Sequence, residues 1–272
     1  MPAANFKHLA DVDELVFYTE FGLRVVESAF QSLNLTPQPP MHILPHGVDT
    51  TIFHPLVEND FSQSRKQARL QLFPDRPHLE DAFIVLNANR NNKRKRVDLT
   101  MQAFAEFAKD KPDAYLYLHM GMRDYGYDIP ALTEKLNLDD RLLRATEETE
   151  KPTISDEQLN VIYNACDIGI NTSLGEGWGL VAFEHAATGA AQIVPAHSAG
   201  AELWRDYGYL VELNKTSDVK NEIAIADAAM VLQSLYQDRQ LLDSLSARAF
   251  AYANSEKFSW QAIAEDWRKL LS

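Results

Sequence analysis

The sequence predicts an α/β protein whose helices cover both faces of a doubly wound parallel sheet. Three observations point there. Short β-branched and aromatic runs alternate with longer stretches of helical period. Most of those runs are continuously apolar rather than alternating. No repeat of fixed period and no low-complexity tract interrupts the rhythm. A continuously apolar strand is what a sheet buried on both faces requires.

The elements follow in chain order. ELVFYT (14–19) and MHILPH (41–46) are the first strand candidates. Residues 35–55, LTPQPPMHILPHGVDTTIFHP, hold five of the twelve prolines, so an ordered, non-helical connector at a domain boundary is expected there. AFIVLNAN (82–89) is the third strand candidate. It is followed by a helix in VDLTMQAFAEFAKD (97–110), which sets Val97, Met101, Phe104 and Phe107 on one stripe. AYLYLHM (114–120) and RLLRATE (141–147) continue the strands, and the polar string EETEKP (147–152) reads as a surface loop without chemistry. IGINTS (168–173) runs directly into a helix in GLVAFEHAATG (179–189). AQIVPAH (191–197) and GYLVEL (208–213) complete the strands, and residues 222–253 supply one or two late helices.

Composition narrows the function. A formal net charge of -13 repels polyphosphate from most of the surface, which argues against nucleic acid or an anionic membrane as partner. An anionic ligand therefore needs a local basic pocket. The single Cys166 cannot form an internal disulfide and sits among apolar residues, as a buried thiol in a reducing compartment does. With neither a leader-like start nor an apolar run of about 18 residues, cytoplasmic residence is expected.

Two constellations carry chemistry. In the first, the strand ending at Thr172 and Ser173 enters a turn with Gly175, Gly177 and Gly179, and a helix follows. Free amides at a helix start, with the positive end of its dipole, favour a phosphate, and glycines let it come close to the backbone. Glu176 precedes that helix and Glu184 lies about one turn inside it. Helical side chains lean toward the N-terminus, so both carboxylates are expected to face one pocket, where each can accept from a pair of hydroxyls. The alternative is a glycine-rich turn before an ordinary acidic helix start. In the second, NANRNNKRKRVD follows an apolar strand, where open α/β sheets place their ligands, and packs Arg90, Lys93, Arg94, Lys95 and Arg96 into one loop. Arg90 is expected to face a ligand, while Arg94 and Arg96 are as readily solvated surface.

Residue by residue, these strings resemble the donor-binding domain of glycosyltransferase family 4 (group 1), retaining enzymes with two Rossmann-like domains, the GT-B fold. Arg90, Lys95, Val97, Asp98 and Leu99 fall in step with that family's Gly-Arg strand end, its Lys five residues on and its Val-Asp-Leu. Asn89 and Arg96 stand where relatives have Gly. Glu176 and Glu184 reproduce the family's two glutamates with seven residues between them, with Trp178 for Phe. VIYNACDIGINTS, HSAGAELW (Gly200, Glu202), HGVDTTIFHP (Gly47, Asp49, Phe53) and FSWQAIAEDWRKLL are similar to further family segments.

The resemblance implies that Arg90 and Lys95 neutralise a donor diphosphate. Glu176, counted with them as catalytic, lies against the donor sugar and Glu184 against the ribose, with Ser173, Gly177, Trp178, Gly179 and Leu180 lining the donor site. It implies a retaining, metal-independent transfer of a hexose-type sugar from a UDP-, GDP- or ADP-sugar to an unidentified sugar, lipid or protein acceptor, with no cofactor. Because only about 40 residues precede the connector, residues 1–40 are expected to be a remnant of the acceptor-side lobe. Residues 41–255 would form the donor domain, and residues 256–272 a helix crossing back to residues 10–30. Two rivals stand beside this reading. One is a non-catalytic donor-binding module that needs a partner chain or the missing lobe, and the other is a sugar-nucleotide epimerase or phosphorylase. Asp11 and Asp13 resemble a metal-binding pair but precede a strand rather than end one, so no metal site is assigned. His46, His119 and His185 read as structural.

Overall fold

A computed structural model describes residues 3–36, 38–144 and 152–272. All eight expected strands form. β1 (Leu15–Phe17) and β2 (Met41–Ile43) make a small parallel pair, joined by α1 (Glu20–Leu33). The other six build one parallel sheet: β3 (Phe83–Asn87), β4 (Ala114–Leu118), β5 (Leu142–Arg144), β6 (Ile168–Ile170), β7 (Ala191–Pro195) and β8 (Tyr209–Val211). Their order across the sheet is β5-β4-β3-β6-β7-β8. The chain leaves β3 toward one edge and returns at β6 toward the other. The switch point of the doubly wound sheet therefore falls between β3 and β6, where such sheets open a crevice at their carboxyl ends. The ladder between these two strands covers only Val85–Ile168 and Leu86–Gly169, so the loops that continue from them part early.

Helices cover both faces. α3 (Val97–Phe107) and α8 (Ile225–Gln237) close one core around Phe83, Val85, Leu116 and Ile193. α6 (Leu180–Ala187) and α9 (Arg239–Ala253) close the other around Ile84, Leu86, Tyr163 and Val194. β3 alternates between these cores, which is why AFIVL is apolar at every position; each such side chain contributes about 1.5–3 kcal/mol on burial. The α3 stripe is as expected, with Val97, Met101, Phe104 and Phe107 buried.

Three helices that apolar periodicity does not reveal start at caps. α2 (Phe61–Leu72) is capped by Asp60, α4 (Ile129–Leu136) by Asp128, and α5 (Asp156–Ala165) by a Ser155–Gln158 capping box. α7 (Ser198–Trp204) and α10 (Trp260–Leu270) complete the set. The connector after β2 is non-helical as expected. Gly47 there lies under the Trp260 ring, which an added Cβ would meet at 2.6 Å, and Val48 N donates to Phe258 O. Except for Pro152, the expected loop at 147–152 lies outside the described residues, as do the last three residues of RLLRATE.

At the amino ends of β3 and β6, Asp167 accepts from Arg69 Nη2 and from Ile84 N, both at 2.7 Å. That buried pair clamps the two central strands below the crevice. No helix among the described residues is long and apolar enough to cross a membrane.

Candidate functional site

Asparagines shape the loop after β3. Asn87 is buried; its Oδ1 accepts from Asn89 N and its Nδ2 donates to Thr100 Oγ1 at 2.8 Å. Asn91, also buried, donates to Gly121 O and Tyr127 O and accepts from Tyr127 N, which fastens the loop to residues 121–127. Gly126 is required there, because an added Cβ would lie 2.3 Å from Asn91 Oδ1. Asn92 caps a short 3₁₀ turn over Lys93–Lys95 by accepting from Lys95 N. Lys95 is thereby turned inward.

Its ammonium donates to Asn89 Oδ1 at 2.8 Å and to Glu176 Oε1 at 2.5 Å. Lys95 and Glu176 are 14% and 11% exposed. From the other side of the crevice, Asn171 Nδ2 donates to Glu176 Oε1, while Asn171 Oδ1 and Ser173 Oγ organise the turn after β6. Thr172 Oγ1 joins the halves by donating to Arg96 O at 2.7 Å, with Lys95 O at 3.1 Å, and it lies 2.9 Å from Thr100 Oγ1.

Burial works against both charges of the central pair. For Glu176 it is outweighed by Lys95, with Arg94 and Asn171 adding to the effect, and the carboxyl is held below its usual range. For Lys95 burial wins, assisted by the neighbouring Arg94, and the amine is pulled down despite Glu176.

Gly175, Gly177 and Gly179 face open space: a Cβ built on any of them meets nothing within 4 Å. Packing inside the protein therefore does not require glycine at 175 or 177. Gly179, at φ +99, does need it, and as N-cap of α6 it offers no side chain to the first amides of the helix, of which Ala182 N donates to Gly179 O. Leu180 begins α6 partly exposed. Trp178 turns inward, 5% exposed, and stacks on Phe183 at 4.6 Å. Glu184 is held by Tyr163 of α5, whose hydroxyl donates to it at 2.8 Å. Burial raises the Glu184 carboxyl and Asp156 adds to this, against the Tyr163 hydrogen bond.

Arg90 is not brought to Glu176. Its Nε donates to Asp124 Oδ2 at 3.0 Å and its guanidinium lies 5.1 Å from the Tyr125 ring centroid. Arg94 is brought there instead, with Nη1 3.2 Å from Ser173 Oγ, 3.5 Å from Glu176 Oε2 and on Gly175 O. Of the two readings left open for Arg96, solvated surface is not the one found: it is enclosed and pairs with Asp98 and with Glu222 of the loop before α8. Glu202 lies elsewhere: it caps α1 by accepting from Glu20 N and Phe21 N. Asp11 and Asp13 are exposed ahead of β1. His185 is fully buried against Cys166 O, and burial lowers it to about 3, as for a neutral structural imidazole.

Sequence reasoning gave no role to Asn87, Asn91, Asn171 and Asp124, and noted Asn89 only as a replacement for Gly. An Asn at every second position of NANRN was the available signal for Asn87, Asn89 and Asn91. A larger surface hollow, lined by Lys109, Lys135 and Arg141, lies along helix flanks; the site is placed here because opposite charges converge at strand ends.

The family described as "Glycosyl transferases group 1" matches residues 69–230. The chain is 24% identical to mannosylfructose-phosphate synthase of Agrobacterium fabrum over 226 residues, 83% of this chain and 46% of that protein. It is 29% identical to D-inositol 3-phosphate glycosyltransferase of Nocardia farcinica over 231 residues, 82% of this chain and 45% of that one. It thus spans about half the length of the curated relatives it matches. Among solved structures, sucrose-phosphate synthase from Thermosynechococcus elongatus superposes with a TM-score of 0.75 at 23% identity, covering 98% of this chain and 59% of that one. An Anabaena protein in complex with UDP and glucose gives 0.74 at 17%, covering 100% and 67%. These likenesses agree with the doubly wound sheet, and the family match, which covers all six strands of that sheet and more than half of the chain, makes this chain a member of the group 1 glycosyl transferase family.

Proposed function

We propose that this chain supplies the donor site of a retaining glycosyltransferase, which transfers a hexose-type sugar from a nucleoside diphosphate sugar to an acceptor hydroxyl. The observation that carries the reading is the meeting of Lys95 with Glu176 across the switch point, beside three glycines that face open space. A diphosphate needs cations and amides, and a sugar or ribose needs a carboxylate for paired hydroxyls. Lys95 and Arg90 then serve the diphosphate, Glu176 the sugar and Glu184 the ribose, with the backbone of Ser173, Gly177, Gly179 and Leu180 along the phosphates. Trp178 supports that turn from the core. Charge developing on the leaving diphosphate meets preorganised cations, so the transfer is expected to proceed without a metal.

UDP, which the Anabaena protein holds, is the first nucleotide to test. Calorimetry with UDP, GDP and ADP checks the reading; absence of binding by all three rejects it. A second reading is favoured by the length of the relatives. In it, the chain is a donor-binding module that transfers sugar only with a second lobe. Residues 1–40 then belong to the acceptor side, residues 41–255 form the donor domain, and residues 256–272 cross back. Nucleotide binding without transfer or donor hydrolysis supports it; turnover by this chain alone rejects it.

A further inference from the structure

We infer that the loop between β4 and α4 carries an autoinhibitory latch, in which Asp124 and Tyr125 engage Arg90 until a donor diphosphate displaces them. The inference rests on the donor-site reading above, in which Arg90 serves the diphosphate, and adds the group that competes for that guanidinium.

The loop has a fixed base and a projecting tip. At the base, Arg123 and Asp128 form an antiparallel bridge and an ion pair, Nε to Oδ2 at 3.3 Å, and Ile129 N donates to Met122 O. One flank is fastened to the loop after β3. Asn91 Oδ1 accepts from Tyr127 N at 2.9 Å, and a Cβ added to Gly126 would lie 2.8 Å from the backbone of Asn92. That anchoring sets the tip beside Arg90, the chain neighbour of Asn91. There Asp124 Oδ2 accepts from Arg90 Nε at 3.0 Å, and the guanidinium lies 5.1 Å from the Tyr125 ring centroid. Tyr125 is 79% exposed, so little packing holds its ring in place. A guanidinium presents the same planar fork to a carboxylate as to a phosphate, and Asp124 therefore occupies Arg90 as a phosphate oxygen would. A diphosphate arriving on Arg90 brings its charge against the Asp124 carboxylate, and like charges at contact distance repel. One of the two anions has to yield. Arg90 is 56% exposed, and an ion pair on an open rim is weak, so the latch lowers donor affinity without abolishing it.

The test uses the full chain and calorimetry with UDP, GDP and ADP, following whichever binds tightest. Asp124→Asn keeps the shape of the side chain and removes its charge. It is expected to tighten the nucleotide about threefold at low ionic strength, the scale of an exposed ion pair, and by less as salt is added. Asp124→Ser should act in the same direction. Combined with Arg90→Gln, neither change should gain anything, because the latch acts through Arg90. A gain that persists beside Arg90→Gln means that Asp124 only adds general repulsion, which overturns the inference. So does an unchanged or weaker affinity in both Asp124 variants. Binding by Asp124→Asn where the unaltered chain shows none supports the latch. Two other results strike the donor-site reading itself: an Arg90→Gln variant that binds as the parent does removes Arg90 from the diphosphate, and absence of binding by the parent and both Asp124 variants rejects the site.

Discussion

Lys95 Nζ lies 2.5 Å from Glu176 Oε1, although 81 positions separate the two residues in the chain. Folding brings them together because β3 and β6 are neighbours, and the largely enclosed pair is worth more for what each loses alone than for its net attraction. Lys95→Met leaves a buried carboxylate short of its cation, and Glu176→Gln leaves a buried ammonium without its anion. Each is expected to cost about 1–3 kcal/mol in urea denaturation. The double variant should lose clearly less than the sum; additive losses would show that the pair is not coupled.

Glu184 contributes a pH signature of opposite sign to Glu176. Its folded-state pKa is raised above the ordinary 4.5, first by burial and then by Asp156. A carboxyl of this kind favours the fold fully below pH 4.5, and the contribution is lost as pH climbs through the raised value. Glu184→Gln stays neutral and can still accept from Tyr163. Thermal unfolding should therefore show a higher Tm than the parent at pH 8, with the gap closing toward pH 4. A Tm below the parent's at pH 8 contradicts this.

Gly175→Ala and Gly177→Ala separate stability from binding. Neither added methyl meets another atom of the protein, so unfolding midpoints should hardly move. A methyl in the space reserved for a phosphate should nonetheless weaken nucleotide binding about tenfold or more in calorimetry. Equal affinity in both variants would mean that the ligand does not approach this turn.

Arg96 combines a left-handed backbone, φ 48, with a guanidinium clamped by Asp98 and Glu222. Arg96→Gly and Arg96→Ala both release the clamp, but only Gly relieves the backbone. Alanine should thus be the less stable of the two by about 1 kcal/mol in chemical denaturation. In both variants the amides of residues 214–223 should exchange hydrogen faster, since Glu222 no longer anchors their loop. Unchanged exchange would show that Glu222 does not anchor the loop, which Asn221 also ties by donating to Leu174 O.

Local pattern determined much of this protein. Apolar runs such as AFIVL and AQIVP define the strands wherever they end up, because burial on both faces demands them. The glycines and two glutamates around Trp178 mark the turn through offsets that a helix start imposes within a few residues. Weakly amphipathic helices were less legible. α2 and α5 rest on caps, Asp60 and the Ser155–Gln158 box, and their apolar contribution becomes visible only when they pack on each other. In the basic loop, spacing singles out Arg90 and Lys95 among five cations in seven residues, but not the groups that each cation meets. The tertiary structure alone decided that Asn91 would bind residues 121–127, that Asp124 would therefore take Arg90, and that Leu174 would hold Arg94 over the glycines. The physical reason is that an ion pair or buried amide is chosen by whichever loop packs beside it, and packing between distant loops follows from strand order rather than from neighbours in the chain.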